Sequence, residues 1–123
     1  HSKSTEPFYV CGQFYPKQGL LAFSMVDLGV DFLPAIEIKT KGEVNNSYDA
    51  IKWALEKANT TREGAPGGLG LFDLNAYFNR TNGNFQIISG DTFWSLDMEN
   101  TVLKKFSFPN PFAGSILNLF FKR

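Results

Sequence analysis

The sequence predicts an α+β fold: a two-layer α/β sandwich in which helices cover one face of a mixed, mostly antiparallel sheet. Three observations predict it. Short apolar or alternating runs at 8–14, 20–26, 85–89, 93–96, 102–106 and 115–121 are bounded by turn residues and have the length and period of strands. Two segments, 47–58 and 69–82, repeat apolar residues at helical spacing, and each needs a sheet to cover. Finally, 43% hydrophobic residues and thirteen phenylalanines in 123 residues argue for one well-packed core and against disorder. No internal repeat and no linker divides the chain, so residues 1–123 read as a single domain.

The first two runs are joined by Pro16-Lys17-Gln18-Gly19, whose proline and glycine have hairpin-turn placement, so an antiparallel pair is expected. The second run ends in Asp27-Leu28-Gly29-Val30-Asp31, where a carboxylate and a glycine interrupt an apolar sequence at a strand end. Ligands of mixed folds often bind at such places. In 47–58 the apolar stripe is Ala50, Ile51, Ala54, Leu55 and Ala58, with Ser47 as N-cap. Its polar, glycine-bearing flanks predict a mobile surface excursion around this helix. In 69–82 the stripe is Leu71, Leu74 and Phe78, stopped by Asn82-Gly83-Asn84. The remaining strands are expected to be separated by Gly90-Asp91, Met98-Glu99-Asn100 and Phe108-Pro109-Asn110-Pro111.

Twelve basic and twelve acidic residues cancel, which disfavours a nucleic acid or an anionic membrane as partner. One cysteine excludes an internal disulfide, and one histidine leaves too few ligands for zinc. Cys11 reads as a small buried side chain in a strand. No run of eighteen apolar residues and no signal peptide is visible, which predicts a cytoplasmic setting. Three glycosylation sequons, beginning at Asn45, Asn59 and Asn79, point to a secreted binding domain instead; Asn and Thr are common in polar loops, and chance occurrence is the preferred account.

Gly67-Gly68-Leu69-Gly70-Leu71 lies between a polar loop and an amphipathic helix, and carries the chemistry of a phosphate cradle. Glycines ahead of a helix admit close backbone approach, and the unpaired N–H groups of the first turn point at any anion there. The cluster lacks the Lys-Ser/Thr ending of a Walker A loop. It also fails as a dinucleotide fingerprint, because the third glycine would fall at Asp73 and a loop precedes it rather than a strand.

Four segments in order resemble the C-terminal part of a GHKL domain, the histidine-kinase-like ATPase fold of gyrase, the heat-shock chaperone, histidine kinases and MutL. Asp27-Leu28-Gly29-Val30-Asp31 is similar to its first glycine box, usually Asp-x-Gly-x-Gly. Gly67-Gly68-Leu69-Gly70-Leu71 is similar to the second, and the excursion between them is placed like the ATP lid. Phe112-Ala113-Gly114-Ser115-Ile116-Leu117-Asn118-Leu119 resembles the closing Gly-Thr strand, with Ser115 in place of threonine.

The resemblance implies an ATP-binding module of a signalling kinase or ATPase. Asp27 would accept from the adenine amine, Gly29 would pass beneath the base, and Gly67, Gly68 and Gly70 would present N–H groups to phosphates. Ser115 would reach Asp27 or a bridging water, and Thr60, Thr61 and Arg62 would meet phosphate oxygens when the lid closes. The departures are two. Asp31 replaces the last glycine of the first box, adding a Cβ and a negative charge. The family's upstream helix, with the Asn that holds Mg²⁺, has no counterpart, and His1-Ser2 resembles the tail of that helix. An N-terminally truncated domain is therefore expected, with a Mg²⁺ ligand upstream, no metal site of its own and weak or no activity alone. No residue is assigned a catalytic role. A protein partner or phosphoacceptor belongs to this reading; the alternative is a degenerate GHKL scaffold that binds proteins and no nucleotide. For single residues the alternatives are that Asp27 caps a turn, that Gly67 to Gly70 only start a helix, and that Ser115 is an ordinary strand residue.

Overall fold

The computed structural model describes residues 5–64, 67–81, 83–96 and 102–123, with the backbone alone for 102–106. Among these residues it is an α+β structure with a four-stranded sheet and three α-helices. Strands β1 (Phe8–Tyr15) and β2 (Leu20–Asp27) form the predicted hairpin, closed by a 3₁₀ turn at Pro16–Gln18. Pro16 starts that turn with its fixed φ, and Gly19 ends it in the left-handed region at φ 57°. Helices α1 (Phe32–Lys39), α2 (Ser47–Leu55) and α3 (Gly70–Phe78) follow, then β3 (Asn84–Leu96) and β4 (Val102–Lys122). The strand order is β1-β2-β4-β3, and every pairing among the described residues is antiparallel, where a mixed sheet was expected.

Strand alternation sorts the sheet into two faces. Phe23 and Met25 of β2, Phe85 and Ile87 of β3, and Leu117, Leu119 and Phe121 of β4 join Ile51, Leu55, Leu71, Leu74 and Phe78 of the helices in one core. The phenylalanines build its centre: the Phe78 ring stacks on Phe85 at 5.2 Å, and Phe85 meets Trp94 at 5.0 Å. The opposite face carries a polar rung across three strands, in which Ser24 donates to Asn118 at 2.7 Å and Asn118 to Gln86 at 3.4 Å.

Several expectations are corrected. Cys11 is exposed, because β1 is an edge strand whose every residue is exposed. Helix α2 packs into the core with Ala50 and Ile51 fully buried, so it belongs to the helical layer and not to a surface excursion. Its N-cap is Asn46, whose side chain accepts from Asp49 N at 2.9 Å, while Ser47 is buried one residue inside. Helix α1 was not foreseen. Gly90-Asp91 does not separate two strands; β3 runs through a bulge at Gly90 with φ 57°. Phe108-Pro109-Asn110-Pro111 likewise lies within β4: the register passes from Thr92↔Ser107 to Gly90↔Phe112, so the prolines sit in the irregular stretch where no ladder N–H is required. The expected turn at Met98-Glu99-Asn100, the helix stop at Asn82 and the His1-Ser2 tail lie outside the described residues.

Candidate functional site

A cavity of about 310 Å³ opens where the end of β2 meets the three helices. Its sheet wall is Asp27 and Ser115. These two are register partners on β2 and β4, and alternation from Met25 and Leu117 puts both on the helix-covered face. Gly114 makes the pairing close: it has φ 128°, and a Cβ there would run into the carbonyl oxygen of Asp27.

Helix α1 supplies Phe32, Ala35 and Ile36 to the apolar wall, and α2 supplies Trp53 and Ala54. The start of α1 is held from two sides. Asp31 is its N-cap, accepting from Leu33 N at 3.2 Å, and Phe32 N donates to Ser89 Oγ of β3 at 2.9 Å. A methyl at Gly90 would stand 2.5 Å from Ser47 Oγ and 2.8 Å from Asp31 Oδ2, so the glycine bulge makes the room in which α1 and α2 begin side by side. Burial pushes the Asp31 carboxyl above its ordinary value, its hydrogen bond from Leu33 pulls it down, and the nearby Asp91 charge pushes it up again. Asp31 both caps α1 and lines the cavity.

The third wall comes from the neck between α2 and α3: Asn59, Thr60 and Thr61, then Gly68, Gly70 and Leu71. Asn59 Nδ2 donates to Trp53 O at 2.9 Å and to Glu56 Oε2 at 3.0 Å, satisfying the end of α2. Gly68, at φ 78°, lies so close to this neck that a Cβ would overlap the Asn59 carbonyl, and a Cβ on Gly67 would stand 2.6 Å from Thr60 Oγ1. Two chain segments are thereby pinned together at the cavity rim. Leu69 precedes α3 without a side-chain cap, which leaves the N–H groups of Gly70 and Leu71 to other acceptors.

Of the seven residues assigned from sequence, Asp27, Thr61, Gly68, Gly70 and Ser115 line this one cavity. Gly29 and Gly67 do not: Gly29 is half-buried in the bend after β2, and Gly67 packs on Thr60. Sequence reasoning missed Phe32, Ile36, Trp53 and Asn59. For Trp53 a signal existed, an aromatic beside the apolar stripe of its helix and outside it. Among the described residues no group of three or more His, Cys, Asp or Glu side chains is placed to hold a metal ion, and no helix is long and apolar enough to cross a membrane. The sequence matches no family model and no curated protein.

Proposed function

We propose that the chain is a cytoplasmic ATP-binding module of the histidine-kinase-like type, part of a signalling kinase or ATPase, with the cavity as its adenine nucleotide site. The observation that carries this reading is convergence. Asp27, Thr61, Gly68, Gly70 and Ser115, drawn from distant parts of the sequence, meet in a single cavity. Its volume is at the lower end of the range for small-molecule sites, about 300–1,000 Å³.

The chemistry is laid out in the order a nucleotide needs. Phe32, Ile36 and Trp53 offer apolar surface to a purine, and Asp27 at the sheet end accepts from its exocyclic amine. Ser115, opposite Asp27, has a hydroxyl for the same edge or for a bridging water. The uncapped start of α3 takes phosphate oxygens through main-chain N–H groups, and Thr60 and Thr61 add hydroxyls beside it. These residues bind and orient. No residue of this cavity is assigned phosphoryl transfer or a Mg²⁺ ion.

Isothermal titration of the chain with ATP, ADP and GTP, each with and without Mg²⁺, tests the reading. It predicts saturable binding of ATP and ADP, with GTP weaker because a guanine presents a carbonyl to Asp27. No heat from either adenine nucleotide up to millimolar concentration would leave the scaffold reading in its place.

A further inference from the structure

We propose that the adenine site continues into an apolar annex that accepts adenine nucleotides carrying an N6 substituent about the size of a phenyl ring. The proposal rests on the adenine reading above and concerns what lies past the exocyclic amine.

A second cavity, of about 170 Å³, adjoins the first, and Asp27, Phe32, Leu71 and Ser115 belong to the walls of both. Asp27 thus stands at the boundary between the chambers. Past that boundary the side chains are apolar: Met25 comes from β2, Ile87 from β3 and Leu117 from β4, all on the helix-covered face, while Phe8 of β1 stands at the margin with 60% of its surface exposed. Asp27 and Ser115 are the annex's polar side chains. An apolar cavity of about 150 Å³ is large enough to hold benzene. The annex is of that size and mostly apolar, as a recess open to solvent and not an enclosed cavity.

The hydrogen-bond inventory then selects the ligand. A primary adenine amine has two N–H groups, and a carboxylate at the chamber boundary needs only one of them. Alkylation at N6 keeps one donor for Asp27 and exchanges the other for a carbon chain. That chain enters a space where an N–H would have few acceptors and a hydrocarbon loses water contact. An N6-benzyl group places a ring against Met25, Leu117 and Leu71.

Competition titration of the whole chain with ATP and N6-benzyl-ATP, repeated on Met25→Trp, tests this. Met25 lines the annex and not the first cavity. The expected result is N6-benzyl-ATP binding as tightly as ATP or up to about tenfold more tightly, as burial of one ring allows. In Met25→Trp the benzyl compound should lose at least about tenfold and ATP less than about threefold. If ATP binds and the benzyl compound binds at least about tenfold more weakly to the wild-type chain, the annex is wrong and the nucleotide site stands. A folded Met25→Trp that treats the two ligands alike puts the substituent in solvent and overturns the annex as well. Binding of neither compound ends both readings together. Should Met25→Trp fail to fold, the wild-type comparison decides alone.

Discussion

Asp27 and Ser115 stand opposite each other as register partners on β2 and β4, and both line the cavity beneath the helices. The pair is fixed by main chain, since the residue before Ser115 is a glycine pressed against the carbonyl of Asp27.

Asp27→Asn tests the carboxylate with little change of shape. A charge-assisted hydrogen bond contributes about 1.5–3 kcal/mol, so loss of the charge should weaken ATP about 10- to 100-fold. The melting temperature should stay close to wild type, because among the described residues this side chain makes no hydrogen bond that holds the fold. Calorimetric titration beside a thermal melt checks both; undiminished ATP affinity in a folded variant defeats the adenine assignment.

Gly114→Ala tests the close approach. The new Cβ meets the Asp27 carbonyl, and an L-residue at φ 128° is strained in any surroundings. A loss of about 2 kcal/mol or more is expected in urea unfolding, with affinity for ATP falling in whatever fraction stays folded. Stability equal to wild type would mean that β4 does not pass β2 this tightly.

Asp31→Asn separates capping from charge. Asparagine keeps the oxygen that accepts from Leu33 N, so α1 retains its cap. In the native chain the folded state raises the Asp31 pKa above 3.8, chiefly by burial, so the fold favours the neutral acid. The charged form then costs stability above the folded pKa, and that cost is relieved as pH falls through the folded value toward 3.8. At pH 7 the variant should melt slightly higher, a small effect because solvent reaches the carboxylate. The difference should shrink as the pH falls through the folded value and vanish below 3.8. Thermal melts across this range read it directly, and a variant that is less stable at pH 7 contradicts it.

Phe78→Ala removes the ring at the centre of the core. Phe78 is fully buried and stacks on Phe85, so truncation should cost about 3–5 kcal/mol. Chemical denaturation measures it; a cost below about 1 kcal/mol would mean that α3 is not seated on the sheet.

Much of this architecture was legible in the residues. The β1–β2 hairpin follows from two alternating runs and a turn whose proline and glycine each occupy the position their φ preference suits. Helices α2 and α3 follow from their stripes, although both end sooner than the pattern suggests, at Leu55 and Phe78. Helix α1 gave no such stripe. Phe32, Leu33, Ala35, Ile36 and Ile38 surround the axis, and Pro34 reads as a breaker although the first turn tolerates it. With α1 unseen, Asp31 looked like a charge intruding on a phosphate site, and its role as cap was hidden.

The sheet was misread where tertiary context overrides a local breaker. Gly90 breaks an alternating run on paper, yet its positive φ lets β3 bulge around the starts of α1 and α2. Pro109 and Pro111 look like strand terminators, yet β4 pairs with β2 only from Ser115 onward, and the prolines fall in the irregular part of its ladder with β3. Of the residues assigned from sequence for their distinctive chemistry, Asp27, Thr61, Gly68, Gly70 and Ser115 line the cavity, while Gly29 and Gly67 do not. Apolar wall residues such as Phe32 and Ile36 carry the same signature as any core residue, and only the fold tells them apart.

The most direct measurement of the central claim is an amide-resolved NMR titration of the chain with ATP. The account predicts that the amides at the end of β2 near Asp27, at Ser115 and at Gly70 and Leu71 shift together, saturating at one ligand concentration. Shifts confined to surfaces away from this cavity, or none up to millimolar ATP, would contradict it.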